Sequence, residues 1–150
     1  MFQPKNILVP TDFSVYSDNA LKEAIDIAKQ NKARIYLFHV IDDGFQQCAV
    51  DYCLEDSVVQ NIYKESIKNA KEKLQQEVKK INDATPGIEI IYDTRRGIPT
   101  EEILKEQEDN KIDLTVIASH GKTGILKNLL GGVADKVMKA SKSEVLLVKS

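Results

Sequence analysis

Apolar residues fall in two rhythms along this chain. Unbroken short runs such as Ile7-Leu8-Val9 and Val145-Leu146-Leu147-Val148 lack alternation, as expected for strands covered on both faces of a parallel sheet. Between such runs apolar residues recur every three or four positions, the period of one helix face. The first rhythm predicts strands over Asn6 to Pro10, Ala33 to Val40, Ile88 to Tyr92 running out through Thr94, Arg95 and Arg96 to Gly97, Ile112 to Ala118, and Glu144 to Val148. The second predicts a helix capped by Ser14 or Ser17, with Ala20, Leu21, Ala24, Ile25 and Ala28 inward. A long helix of roughly six turns carries Val59, Tyr63, Ile67, Ala70, Leu74, Val78 and Ile81. Its Lys64, Lys68, Lys71 and Lys79 make a solvated face. A short polar helix follows Pro99, with Glu101 and Glu102 suited to its positive end and Ile103 and Leu104 inward, and a last helix runs through Ala140. Ile41 to Ser57 has no periodicity and reads as a loop.

Five strands alternating strictly with four helices predict an α/β fold, a doubly wound parallel sheet with helices on both faces. Ligands of such sheets bind outside the carboxyl ends of the strands, where the winding reverses. Two loops with binding chemistry leave such ends, Pro10-Thr11-Asp12 and the stretch after Ser119. They face each other if the first and fourth strands are neighbours, which requires the order 3-2-1-4-5.

Composition narrows the function. The 150 residues are the size of one domain, 1–150, and 21 basic against 23 acidic residues give a net charge of −2. No basic excess draws the chain to nucleic acid or an anionic membrane. No run of about 18 apolar residues occurs, and the amino terminus lacks a secretory pattern, so a cytoplasmic protein is expected. Cys48 and Cys53 have neither a zinc-binding partner nor C-x-x-C spacing and read as reduced loop thiols. Asp42, Asp43, Asp51, Glu55 and Asp56 lack fixed ligand spacing and read as solvated surface rather than an ion site.

The candidate chemistry concentrates between Thr115 and Val133, where an apolar run stops at Ser119 and Gly121, Gly124, Gly131 and Gly132 follow. Bare backbone ahead of a helix start suits a phosphate. Adjacent glycines entering a helix cost about 1 kcal/mol each relative to alanine, which argues for a use. Gly121-Lys122-Thr123 is no P-loop, since Val116 occupies the place of its earlier glycine. Val9-Pro10-Thr11-Asp12 likewise lacks the dinucleotide fingerprint. The histidines, His39 and His120, are accompanied by no nucleophile elbow, so no dedicated catalytic constellation is in view.

Three segments together resemble the universal stress proteins over essentially the whole chain. They are Ile7-Leu8-Val9-Pro10-Thr11-Asp12-Phe13-Ser14, His39-Val40, and Ser119-His120-Gly121-Lys122-Thr123-Gly124 through Gly131-Gly132-Val133. The resemblance implies the 3-2-1-4-5 sheet, a homodimer and, in one branch of the family, ATP between the first and fourth strand ends. The family's ATP signature falls on Ala118, Gly121, Gly131 and Gly132 and departs from it at two positions. Ala118 adds a methyl where the signature has glycine, and Gly132 lacks the Ser or Thr hydroxyl. Losing one hydrogen bond to a charged group costs about 1.5 to 3 kcal/mol, a weakening of about tenfold to a hundredfold. The backbone N–H groups of Gly132 and Val133 remain.

By the same resemblance Asp12 contacts the nucleotide or its Mg²⁺ or Mn²⁺, Pro10 and Thr11 shape the adenine and ribose side, and Val40 offers backbone to adenine. Lys122 and Lys127 add positive charge near the phosphates, and Ser119 and His120 complete the loop. The hydrophobic run Val145 to Val148 is an edge strand fit to pair with its own copy in antiparallel fashion, although Ser143-Glu144 replaces the family's usual Pro-containing turn. Two functions are therefore expected to compete. One is a regulatory module binding ATP or another adenine nucleotide, with at most slow hydrolysis or autophosphorylation. The other is a nucleotide-free dimeric stress or scaffold protein acting through protein partners.

Overall fold

The computed structural model describes residues 1–44, 54–120 and 132–149. Their strands are β1 (Asn6–Pro10), β2 (Arg34–Asp42), β3 (Ile90–Gly97), β4 (Leu114–Ala118) and β5 (Glu144–Val148). The helices numbered here are α1 (Val15–Asn31), α2 (Asp56–Ala84), α3 (Pro99–Asp109) and α4 (Val133–Ala140). All pairings are parallel and the order is β3-β2-β1-β4-β5, as the resemblance implied.

Because side chains alternate across a strand, each unbroken apolar run feeds two cores. Ile7 and Val9 of β1, Ile35 and Leu37 of β2, and Leu114 and Val116 of β4 meet Ala20, Leu21, Ala24 and Ala28 of α1 and Leu74 and Ile81 of α2. On the other face Leu8, Tyr36, Phe38 and Ile117 meet Ile103 of α3 and Val137 of α4. α1 and α2 therefore cover one face, α3 and α4 the other. The reversal of winding falls between β1 and β4.

Sequence boundaries shift where pairing, not hydrophobicity, decides. β2 continues past Val40 because Ile41 and Asp42 pair with Arg96 and Gly97, so the predicted loop begins two residues later. Asp43 is drawn onto β3 by Arg96 at 2.6 Å, and that guanidinium lies 3.5 Å from the Tyr63 ring of α2. The stripe on α2 buries Val59, Tyr63, Ala70, Leu74 and Ile81. Cys48, Asp51 and Cys53 lie outside the described residues. Among the described residues no helix is long and apolar enough to cross a membrane.

One buried carboxylate joins α3 to β3. Glu106 is 2 % exposed; its Oε1 accepts from Asn110 Nδ2 at 2.7 Å, and its Oε2 lies 2.9 Å from Arg95 Nη2 as an ion pair without hydrogen-bond alignment. Burial raises the Glu106 pKa above the ordinary 4.5, outweighing Arg95, with Asp93, Asp109 and Glu102 adding to the rise. The folded state therefore holds this proton more tightly than the unfolded chain. The stabilisation is complete below about 4.5 and is lost as pH rises through the raised value. Urea unfolding from about pH 4 to about pH 7 should show Glu106→Gln gaining on the wild type as pH rises. A pH-independent difference contradicts this reading.

Candidate functional site

The site is built on a gap in the sheet. β1 and β4 pair only at Ile7–Leu114 and Leu8–Thr115, whereas β1 pairs with β2 through Pro10 and β4 with β5 through Ala118. Past Leu8 and Thr115 the two central strands part, leaving a crevice at their carboxyl ends. The loop after β1 then enters α1 on one face, while the chain after β4 leads to α4 on the other. This is the switch point at which open α/β sheets take ligands.

On the β1 side the turn from Thr11 to Ser17 is held by its own side chains. Thr11 Oγ1 accepts from Phe13 N at 3.0 Å, Asp12 Oδ1 from Ser14 N at 3.0 Å, and Ser14 Oγ from Ser17 N at 3.2 Å. These are two Asx/Ser-Thr turns followed by a helix N-cap, and Ser14 rather than Ser17 is the cap. Ser17 is 4 % exposed and turns its hydroxyl back to Asp12 Oδ1 at 3.1 Å and Ser14 O at 2.9 Å. Phe13 has φ of 64°, a left-handed conformation that costs a residue with a side chain about 1 to 2 kcal/mol. Asp12 is thus in part a structural acceptor preceding a helix, the ordinary use of such a residue.

On the β4 side Ala118 ends the strand, packed against the α1 core, and Ser119 N extends the ladder by donating to Val148 O at 3.0 Å. Ser119 Oγ and His120 Nδ1 are 2.9 Å apart, and the His120 ring lies 5.5 Å from that of Tyr16 in α1, linking the two sides of the crevice. Gly132 is the N-cap of α4, with φ −71° and ψ 166° and no side-chain cap; among the described residues a Cβ there meets nothing within 4 Å. The glycine is therefore not required by its backbone or by the described residues around it, which leave room for a serine. Val133 opens the helix, whose first N–H groups lack partners within it. Asp135, in that first turn, is paired with Lys139 at 3.0 Å. Gly121, Lys122, Gly124, Lys127 and Gly131 lie outside the described residues.

Val40 sits on β2 opposite Arg95 and packs into the α3–α4 core. Thr11, Asp12, Ser119 and His120 all stand at the carboxyl edge of the central strands. Sequence reasoning offered Ser17 only as an alternative helix cap, and missed Tyr16 and the role of His39, whose Nδ1 meets Thr11 O at 2.7 Å. Among the described residues no group of three or more His, Cys, Asp and Glu is placed to hold a metal. The β5 edge exposes Glu144 and Leu146.

A cleft of about 540 Å³ lies at the opposite pole between Lys5, Lys29, Lys32, Arg34, Thr85 and Glu89. Arg34 is already engaged by Glu89 at 2.8 Å, and α1 and α2 both end there. Helix carboxyl ends are negative poles, unsuited to an anion. The crevice between β1 and β4 has the opposite polarity, because α1 and α4 begin there.

Residues 4–149 match the model of the universal stress protein family, and the chain belongs to that family. It is 36% identical over 146 residues to universal stress protein MJ0531 of Methanocaldococcus jannaschii, covering 97% of this chain and 82% of that one. The solved structure of MJ0577, from the same organism, is 33% identical with a TM-score of 0.78, covering 99% and 98% of the two chains. A universal stress protein solved in complex with cAMP is 23% identical with a TM-score of 0.63, covering 98% of each chain.

The Asp12 contacts predict a separable structural contribution. Asp12→Ala removes the acceptor of Ser14 N and Ser17 Oγ and should lower stability by about 1 kcal/mol in urea unfolding, whereas Asp12→Asn keeps an Oδ1 and should retain most of it. Equal losses in both variants contradict the assignment.

Proposed function

We propose that this chain is a regulatory protein that takes ATP, or another adenine nucleotide, with Mg²⁺ or Mn²⁺ in the crevice between the carboxyl ends of β1 and β4. The observation that carries this reading is the early end of β1–β4 pairing, which opens a gap between the amino ends of α1 and α4. Two helix amino termini facing one gap favour a polyanion there. Gly132 and Val133 offer N–H groups to a phosphate, and the family resemblance adds Gly121, Lys122 and Gly131 as further phosphate contacts. Thr11 and Pro10 border the ribose and adenine, and Val40 lends backbone to the base. Ala118, Ser119 and His120 line the β4 side, and Asp12 meets the metal through the bound phosphates. A family relative solved with cAMP supports an adenine nucleotide in this fold. Chemistry is limited to slow hydrolysis or autophosphorylation, with nucleotide occupancy as the signal.

The protein acts in the cytoplasm as a homodimer through antiparallel pairing of β5, whose Val145 to Val148 edge has, among the described residues, β4 as its only strand neighbour. Ala118 and Gly132 favour a second reading, a dimer that works without nucleotide, since both depart from the family's ATP signature and the missing hydroxyl weakens phosphate binding.

Calorimetric titration of nucleotide-stripped protein with ATP and Mg²⁺ separates the two. The first reading predicts saturable heat, tightened about tenfold in Gly132→Ser and absent in Gly121→Val. Absence of heat at millimolar ATP leaves the nucleotide-free dimer.

A further inference from the structure

We propose that His39 is the positioning residue of the β1–α1 turn, and that through this turn it sets the affinity of the site at the carboxyl ends of β1 and β4; the second part rests on the nucleotide reading above. His39 lies on β2, between Phe38 and Val40, and leaves the strand on the face shared by Leu37 and Ile41. There it reaches across to the turn, where its Nδ1 is 2.7 Å from the Thr11 carbonyl. A carbonyl oxygen only accepts, so this contact fixes the ring with hydrogen on Nδ1. Thr11 N donates to Phe38 O at 2.8 Å. Both backbone groups of Thr11 are therefore tied to two consecutive residues of β2, one through the main chain and one through an imidazole.

The same ring holds the next anchored position. The Phe13 and His39 ring centroids are 4.6 Å apart, and on α2 the Lys73 ammonium stands 5.1 Å from the centre of the Phe13 ring. Phe13 is the residue at φ 64°, a conformation that persists only where its surroundings enforce it. His39 bonds the residue before Asp12 and packs on the residue after it. Asp12 is thereby presented from a turn whose two flanks are fixed, and its carboxylate keeps one orientation as its Oδ1 receives Ser14 N. The two contacts have different origins, one directional and one packing. Substitutions distinguish them.

His39→Asn places an amide Nδ2 near the position of the ring Nδ1 and retains the donor, while His39→Leu retains bulk and removes it. The first arm uses the ligand-free protein and measures amide hydrogen exchange at Phe13 and Ser14, whose N–H groups are bonded inside the turn. His39→Leu is expected to exchange about tenfold faster at these two amides than the wild type, with β1 and α1 core amides unchanged, and His39→Asn to stay within about threefold. The second arm titrates the same proteins with ATP and Mg²⁺, where His39→Leu is expected to lose about tenfold in affinity and His39→Asn to recover most of it.

Unchanged exchange in His39→Leu, or faster exchange spread equally over the core, overturns the positioning role whether or not ATP binds. Faster turn exchange with unaltered ATP affinity overturns the link to the site. A wild type that takes up no ATP defeats the nucleotide reading and with it the link, while the ligand-free arm still decides the role of His39 in the turn.

Discussion

The end of pairing between β1 and β4 shapes the whole carboxyl edge of the sheet. These strands share only the Ile7–Leu114 and Leu8–Thr115 positions, and beyond them each is held solely by its outer neighbour. The reason lies in the winding. α1 and α2 must cover one face and α3 and α4 the other to bury the two apolar sides of the same strands. α1, which follows β1, and α4, which follows β4, consequently lie on opposite faces, and the gap follows from satisfying both cores. The amino ends of α1 and α4 border it, which gives the crevice the electrostatic character the opposite pole lacks.

Within that frame the two sides of the crevice are built differently. The β1 side is a short turn in which hydroxyls and one carboxylate satisfy successive backbone N–H groups, with Phe13 held in a left-handed conformation. The β4 side begins with Ala118 and Ser119, still tied to β5, and ends at the uncapped amino end of α4. Polar anchoring also operates behind the site. Gln107 Nε2 donates to the buried Thr115 hydroxyl at 2.8 Å and Gln107 Oε1 accepts from Ser141 Oγ at 3.1 Å, so α3, β4 and the turn after α4 share one network. Thr115 is the last β4 residue paired with β1. The point where the strands part is thus held from below by a satisfied polar pair, which a purely apolar core would not locate so specifically.

Much of the architecture was legible because parallel strands buried on both faces leave unbroken apolar runs, and β1 and β5 occupy the predicted stretches. The strand order came from the joint likeness of Ile7 to Ser14, His39-Val40, and Ser119 to Gly124 through Gly131-Gly132-Val133 to a family, since alternation alone permits other orders. The contacts of His39 were not legible. The bond to Thr11 joins residues 28 positions apart, and no local pattern announces that an imidazole on β2 will meet a carbonyl after β1. The left-handed Phe13 was equally silent, because such a conformation usually signals itself through glycine or asparagine. Ser17 did have a signal: Thr11, Asp12, Ser14 and Ser17 stand at the two- and three-residue spacings of side-chain caps. At Gly132 the sequence raised a question that its backbone answers in part, since neither its φ and ψ nor the described residues around it require glycine.

The claim that joins these observations is that the crevice at the carboxyl ends of β1 and β4, not the basic cleft at the other pole, receives an adenine nucleotide. Backbone amide resonances of the isotopically labelled protein, followed during titration with ATP and Mg²⁺, test it most directly. The account predicts that Thr11, Asp12, Ser119, Gly132 and Val133 shift together and saturate on one binding curve. Shifts confined to Lys5, Lys32, Arg34 and Glu89, or no saturating shift at either pole, would contradict it.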